Sequence, residues 1–262
     1  MSRTVLVTGA SSGIGQATAK ALVARGYRVI GTSRREQPAA GGVTFVRLDL
    51  DDPESVEGLA AVLAEVDVLI NNAGESQSGP LEDLPGEAIR RVFQTNVFGA
   101  VRLTQLALPG MRSRGYGRVV MVGSMVASFP VAYRSSYVAS KAAIRGFATA
   151  ARYELTPFGV WLTTVEPGSI RTGISERRTN FVAENSVHAE DFGTVLSYLN
   201  SNERGGTPTE QVVATIIRAV EAERPKPFYA VGSGAPWVFA LRRIVPRTLA
   251  ERLTQRKHGL RR

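Results

Sequence analysis

Short β-branched runs alternate along this chain with longer stretches of helical periodicity, and few folds other than a parallel sheet clothed in helices accept that alternation. Residues 4–8 read as the first strand; Ile14, Ala17, Ala21 and Leu22 then recur at helical spacing until Gly26 stops the helix. Residues 28–32, 44–48 and 66–70 make strands two, three and four. Asp52 as N-cap and Pro53 in the first turn open the helix between the last two. A helical stretch from 87 to 111 leads to strand five at 118–122, a helix at 137–155 and strand six at 161–165. A helix at 208–221 and a short strand at 228–231 complete the pattern. The strands are apolar throughout rather than alternating, as strands covered on both faces must be.

Length and composition narrow the reading. A chain of 262 residues with 44% apolar residues suits a single α/β domain over residues 1–262. The absence of cysteine removes disulfides, thiolate nucleophiles and Cys-ligated metal, and no His cluster replaces them, so no metal site is expected. The net charge of +9 favours anionic partners such as phosphorylated cofactors. No basic block with interleaved aromatics is present, so nucleic acid is not an expected partner. The N-terminus runs straight into a strand with no signal-peptide pattern, and the longest charge-free runs are too short to span a bilayer. A soluble, cytoplasmic protein is expected.

Two stretches break the regularity. Residues 173–206 are polar and weakly periodic, and are read as a mobile, variable substrate loop. Residues 241–262 form a basic C-terminal helix. Its stripe of Leu241, Ile244, Val245, Leu249 and Leu253 opposes Arg242, Arg243, Arg247, Arg252 and Arg256. Packing on the body or a subunit partner is the expected use of such a face. Contact with an anionic membrane surface is the alternative.

The chemistry begins where strand one ends, in Thr8-Gly9-Ala10-Ser11-Ser12-Gly13-Ile14-Gly15. Gly9 permits a tight turn, Gly13 lets backbone approach a diphosphate and Gly15 allows close packing. The helix behind them offers free N–H groups and a positive dipole end. Together with Asn71-Asn72-Ala73-Gly74, Ser124, Tyr137-Val-Ala-Ser-Lys141 and Pro167-Gly168-Ser-Ile-Arg-Thr172, this turn resembles the short-chain dehydrogenase/reductase family. The match runs in order through residues 3–172. It implies a Rossmann-type fold whose seven-stranded, mostly parallel sheet has the order 3-2-1-4-5-6-7 with helices on both faces. It also implies an oxidoreductase that works as a homodimer or homotetramer.

Tyr137 and Lys141 stand at i and i+4, so a helix puts them on one face with Cβ atoms about 5–6 Å apart. A phenol is a poor acid–base group at neutral pH; lowering its pKa by two to three units needs roughly 3–4 kcal/mol, which a desolvated ammonium can supply. Ser124, just past strand five at the carboxyl edge of the sheet, can hold and polarise a carbonyl while Tyr137 gives the proton. The resemblance adds Asn96 as the anchor of a relay water leading to Lys141. Catalysis is thus assigned to Asn96, Ser124, Tyr137 and Lys141, and substrate contact to Ser124, Met125 and Tyr137. Phe129, Val131, Tyr133 and Phe181 add apolar character, hinting at a hydrophobic ketone or alcohol.

The expected cofactor contacts are Gly9, Ser11, Ser12, Gly13, Ile14 and Gly15 at the diphosphate, and Asn72, Ala73 and Gly74 beside the adenosine half. By resemblance, Asp49 and Leu50 meet the adenine. Pro167, Gly168, Ile170 and Thr172 hold the nicotinamide, and Tyr137 and Lys141 its ribose. At the end of strand two, Ser33 takes the place where NAD-users carry an acid, and Arg34 suits a 2′-phosphate. NADP(H) is therefore expected over NAD(H), with a small-molecule ketone or alcohol as the partner. Two other readings remain: a non-catalytic NADP-binding sensor or scaffold, and a serine hydrolase using Ser11 of the G-x-S-x-G in this turn, for which only His188 and His258 offer a base.

Overall fold

The computed structural model of the chain describes residues 2–171, 173, 177–235 and 237–260. The first half runs β1 (Thr4–Val7), α1 (Gly13–Val23), β2 (Arg28–Ser33), β3 (Val43–Arg47), α2 (Pro53–Glu57), α3 (Ala60–Ala64), β4 (Val68–Asn71), β5 (Gln77–Ser78), α4 (Gly86–Phe93) and α5 (Gly99–Ser113). The second half continues with β6 (Gly117–Val122), α6 (Ser135–Leu155), β7 (Val160–Pro167), β8 (Thr179–Asn180), α7 (Ala189–Arg204), α8 (Thr209–Glu221), β9 (Phe228–Val231), α9 (Trp237–Arg242) and α10 (Arg247–Lys257).

Seven strands form one sheet in the order β3-β2-β1-β4-β6-β7-β9, and each of its pairings is parallel. Counted within the sheet, this is the expected Rossmann-type order. Alternate strand residues point to opposite faces. Leu6, Leu69, Val119 and Leu162 pack with Leu63, Leu103, Met111 and Ile144 on one face. Val5, Val7, Val120 and Val165 pack with Leu22 and Ile216 on the other. Each such side chain contributes roughly 1.5–3 kcal/mol by leaving water. Asp52 caps α2 as its sequence suggests, its Oδ1 accepting from Glu54 N at 3.0 Å.

Three expectations need correction. The helical stretch at 87–111 is α4 and α5 joined through a π-helical segment, Gln94–Phe98. The 173–206 segment is not mainly a loop: β8 pairs with β5, and α7 spans sixteen residues. Phe192, Val195 and Leu199 are its buried face; Val195 and Leu199 pack against Val131 and Leu260. Its weak periodicity reflects how little apolar surface one helix needs when only one stripe is covered. The C-terminal stretch is two helices broken before Pro246, and Ile244 is 83% exposed at the break. Leu241, Leu249 and Leu253 also stay about half exposed, so packing on the body covers the apolar stripe only in part. Among the described residues, no helix is long and apolar enough to cross a membrane.

Candidate active site

The strand order reverses between β2-β1 and β4-β6, and open α/β sheets bind ligands at the carboxyl edge of such a switch point. The loops there enclose a cavity of about 1310 Å³. At its base the glycine-rich turn and the Asn71-Asn72-Ala73-Gly74 turn are fastened together. Thr8 Oγ1 accepts from Asn72 N and Ala73 N, each at 2.9 Å, and Asn72 Nδ2 donates to Thr8 O at 2.9 Å. Gly9 has φ +66°, which only glycine adopts without strain. A Cβ on Gly15 would overlap the Gly9 carbonyl and lie 2.5 Å from Asn72 Nδ2, so Gly15 packs against the turn itself rather than against a strand. Ser11, Ser12, Gly13 and Ile14 line the cavity at the first turn of α1. Ser12 holds the N-cap position with no hydrogen bond from its side chain to the helix.

Ser33 is buried at the end of β2, its Oγ accepting from Arg35 N at 3.3 Å. Arg34 and Arg35 both line the cavity, are exposed, and have no ion-pair partner among the described residues. Ser33, not an acid, closes β2, so the donors beside it suit a phosphate. Asp49, Leu50, Asn72, Ala73 and Gly74 border the same space, as do Pro167, Gly168 and Ile170 on the far side. Thr172 lies outside the described residues. Asn71 has a structural place instead: it closes β4 with its side chain turned inward, donating to Thr104 Oγ1 at 3.1 Å and Ala100 O at 3.3 Å. A helix N-terminus, two free guanidiniums and a glycine-lined approach fit a phosphate-bearing dinucleotide.

Ser124, Tyr137 and Lys141 converge on this cavity. Ser124 follows β6 in extended conformation, and its Oγ accepts from Val126 N at 3.4 Å. Tyr137 and Lys141 lie one helical turn apart on α6, both nearly buried, with Lys141 Nζ 5.8 Å from the centroid of the Tyr137 ring. Lys141 Nζ donates to Val122 O at 2.9 Å and has no carboxylate within ion-pair range among the described residues. A buried ammonium held by a neutral carbonyl keeps its field for neighbouring groups.

Asn96 does not line the cavity; it stands behind Gly74 in the π-helical segment. Its Oδ1 accepts from Glu75 N at 2.7 Å, and its Nδ2 donates to Glu75 O at 3.0 Å and Ser140 Oγ at 3.1 Å. It thereby fixes the turn after β4 to α6, and π turns recur at functional positions because they re-aim backbone groups.

Met125, Phe129 and Val131 form an apolar wall of the cavity. Tyr133 and Phe181 do not join it: Tyr133 packs on Phe192 and His188, and Phe181 pairs with Ser78 beside Gly79. Sequence reasoning missed the other side of the wall, made by Val238, Leu241, Val245 and Leu253 of the C-terminal helices. Their apolar stripe was visible, but not what it would cover. It also missed Ser76, Arg134 and Glu203, polar residues at the cavity edge. Arg134 carried a usable signal: a cation at the start of a helix opposes the dipole. Ser11 has neither histidine as a hydrogen-bond partner among the described residues. His188 pairs with Glu82, and the His258 ring faces Thr254 O at 2.8 Å.

The comparisons with known proteins agree with this geometry. The model of the short chain dehydrogenase family matches residues 3–182. The Bacillus subtilis oxidoreductase YusZ, itself uncharacterised, is 35% identical over 96% of this chain and 97% of its own length. A 3-ketodihydrosphingosine reductase from Bacteroides thetaiotaomicron is 33% identical over 84% of each chain. A solved structure of a short chain dehydrogenase from Burkholderia cenocepacia in complex with NADP superposes with a TM-score of 0.77 at 26% identity, covering 96% of this chain and 97% of that one. With its glycine-rich turn, Ser124, Tyr137 and Lys141 gathered at one sheet edge, this chain belongs to the short-chain dehydrogenase/reductase family.

Proposed function

We propose that this protein interconverts a carbonyl and a secondary alcohol on a hydrophobic small molecule, using NADP(H), and that residues 1–262 act as one domain. The observation that carries the reading is the meeting of Ser124, Tyr137 and a buried, carboxylate-free Lys141 in the cavity that the glycine-rich turn and Arg34 also line. When bound, the cofactor supplies or accepts hydride at the substrate carbon. The protein's own part is the proton. Tyr137 gives it to the substrate oxygen in reduction and takes it back in oxidation. Ser124 holds and polarises that oxygen. Lys141 stabilises the phenolate electrostatically, and Asn96 keeps the Glu75 turn and its relay water in place.

Arg34, joined by Arg35, would hold a 2′-phosphate with bidentate donors, which supports NADP(H) over NAD(H). Met125, Phe129 and Leu241 give the substrate end an apolar lining that suits a lipophilic ketone, a class to which the activity named for the Bacteroides relative also belongs. A homo-oligomer is proposed, with the exposed Phe98, Phe147 and Phe158 around α5 and α6 as the apolar surface available to a second copy.

The test is Tyr137→Phe, scored by NADPH absorbance across a panel of hydrophobic ketones. Cofactor binding by fluorescence should stay within about twofold, while turnover should fall by roughly 10²–10⁴, the usual contribution of a positioned acid–base. A variant that keeps its turnover ends the assignment. If the unaltered enzyme binds NADPH yet reduces nothing in the panel, a sensor role takes its place.

A further inference from the structure

Arg134 occupies a position that ordinary stability arguments disfavour. It is the N-cap residue of α6, at the positive end of that helix dipole, and its guanidinium is almost completely buried. Burial pushes its pKa down, which the nearby Tyr137 opposes. Tyr133, just before it, holds φ +62°, a left-handed conformation that costs a non-glycine residue on the order of 1 kcal/mol. Buried charge, opposed dipole and backbone strain at two adjacent residues mark a side chain placed for use.

The guanidinium carbon lies 4.2 Å from the centroid of the Tyr137 ring, nearer than Lys141 Nζ at 5.8 Å. Nη2 of Arg134 donates to Ser76 Oγ at 2.7 Å, and its buried Nε has no hydrogen-bond partner among the described residues. We propose that Arg134 is a positioning residue of the reaction, a second fixed cation on the phenol of Tyr137 that favours its ionised form together with Lys141. The proposal rests on Tyr137 being the acid–base group.

Other charges share this cavity: Arg177, Lys257 and His258 line it, and Arg134 disfavours the charged form of His258. Glu203 favours the charged form of Arg134 and is itself ion-paired with the buried Arg178, which works against it. Glu166 of β7 acts on Lys141 and Arg145. Glu75, beyond Gly74, is paired with Arg91. Lys141 and Arg134 flank the ring as cations, and among the described residues no carboxylate is hydrogen-bonded to either. Arg178, just before β8, donates to both Asn200 and Glu203, which fastens the start of that strand to α7.

The experiment is the pH profile of alcohol oxidation with NADP⁺ for Arg134→Met and Arg134→Lys. Oxidation needs the phenolate, so removing a cation should move the rising limb of kcat upward. A shift of about one pH unit is expected for Arg134→Met, hence a roughly tenfold lower rate below the limb that recovers above it, with Arg134→Lys near the unaltered enzyme. A uniform loss at every pH with an unmoved midpoint overturns the proposal, as does a rise in KM confined to anionic substrates. Should Arg134→Met fail to fold, Arg134→Gln keeps a hydrogen-bonding side chain there without the charge and should move the limb upward as well; an unmoved limb overturns the idea. Tyr137→Phe run in parallel separates the two claims. If it retains turnover, the acid–base reading fails; if it is inactive while the Arg134→Met limb stays put, only the role of Arg134 fails.

Discussion

Glu166 has no exposed surface, sits on β7 beside α6, and carries one oxygen without a hydrogen bond among the described residues. Thr164 Oγ1 donates to its other oxygen at 3.4 Å, and Arg145 Nη1 stands 3.6 Å away. Burial outweighs these partners and raises its pKa to about 7. An unfolded chain releases that proton near pH 4.5, so between pH 4.5 and 7 the native state holds a proton that the unfolded state has lost. Stability then falls as pH rises through that window, by on the order of 3 kcal/mol in total. Glu166→Gln should abolish the slope and leave the variant more stable than the unaltered protein at pH 8 but not at pH 4.5, measured by urea denaturation; a parallel pH dependence in both would contradict this. Such a residue is hard to read from sequence. Glu166 lies next to Pro167 at a strand end where polar residues are common, and only the depth of the sheet shows it to be desolvated. Tyr137 and Lys141 were legible because their spacing alone fixes a shared helix face, whereas Arg134 needed the fold of Tyr133 to turn it inward.

At the scale of elements, α10 is held to the body by Gln255. Its Nε2 donates to Pro130 O at 3.0 Å and its Oε1 accepts from Ala132 N at 3.1 Å. Gln255→Ala removes both bonds and should loosen the outer wall by about 1–2 kcal/mol. KM for an apolar ketone is expected to rise severalfold while the affinity for NADPH is unchanged; equal losses in both would show that α10 supports the whole crevice instead. The strands and most helices were legible because buried parallel strands and amphipathic helices write their periods directly into the sequence. The helix α7 was not, since its polar face is long and its apolar stripe is three residues. The split of the C-terminal stretch at Pro246 was marked by the proline itself, and the π-helical segment carrying Asn96 leaves no periodic trace that a ten-residue window would detect.

For the molecule as a whole, net charge, sheet order and crevice point to one ligand class. At a hundredfold excess over its Kd, a cofactor that binds only the native state adds about 2.7 kcal/mol. For a domain of this size that corresponds to roughly 5–10 °C in Tm. NADPH should raise Tm more than NADH at equal concentration, and Arg34→Glu should close the gap; equal shifts in the unaltered protein would remove the preference. The pair of hydrogen bonds that the Thr8 hydroxyl accepts from the backbone of Asn72 and Ala73 joins residues 64 and 65 positions apart in sequence, across the seam between β1 and β4. The floor of the crevice is thus a clasp between two distant stretches of chain, and it closes only when the central strands lie side by side. A molecule parted along that seam keeps no remnant of the pocket, so an occupied pocket holds the seam shut. The lifetime of the protein against proteases then follows how often its nucleotide departs.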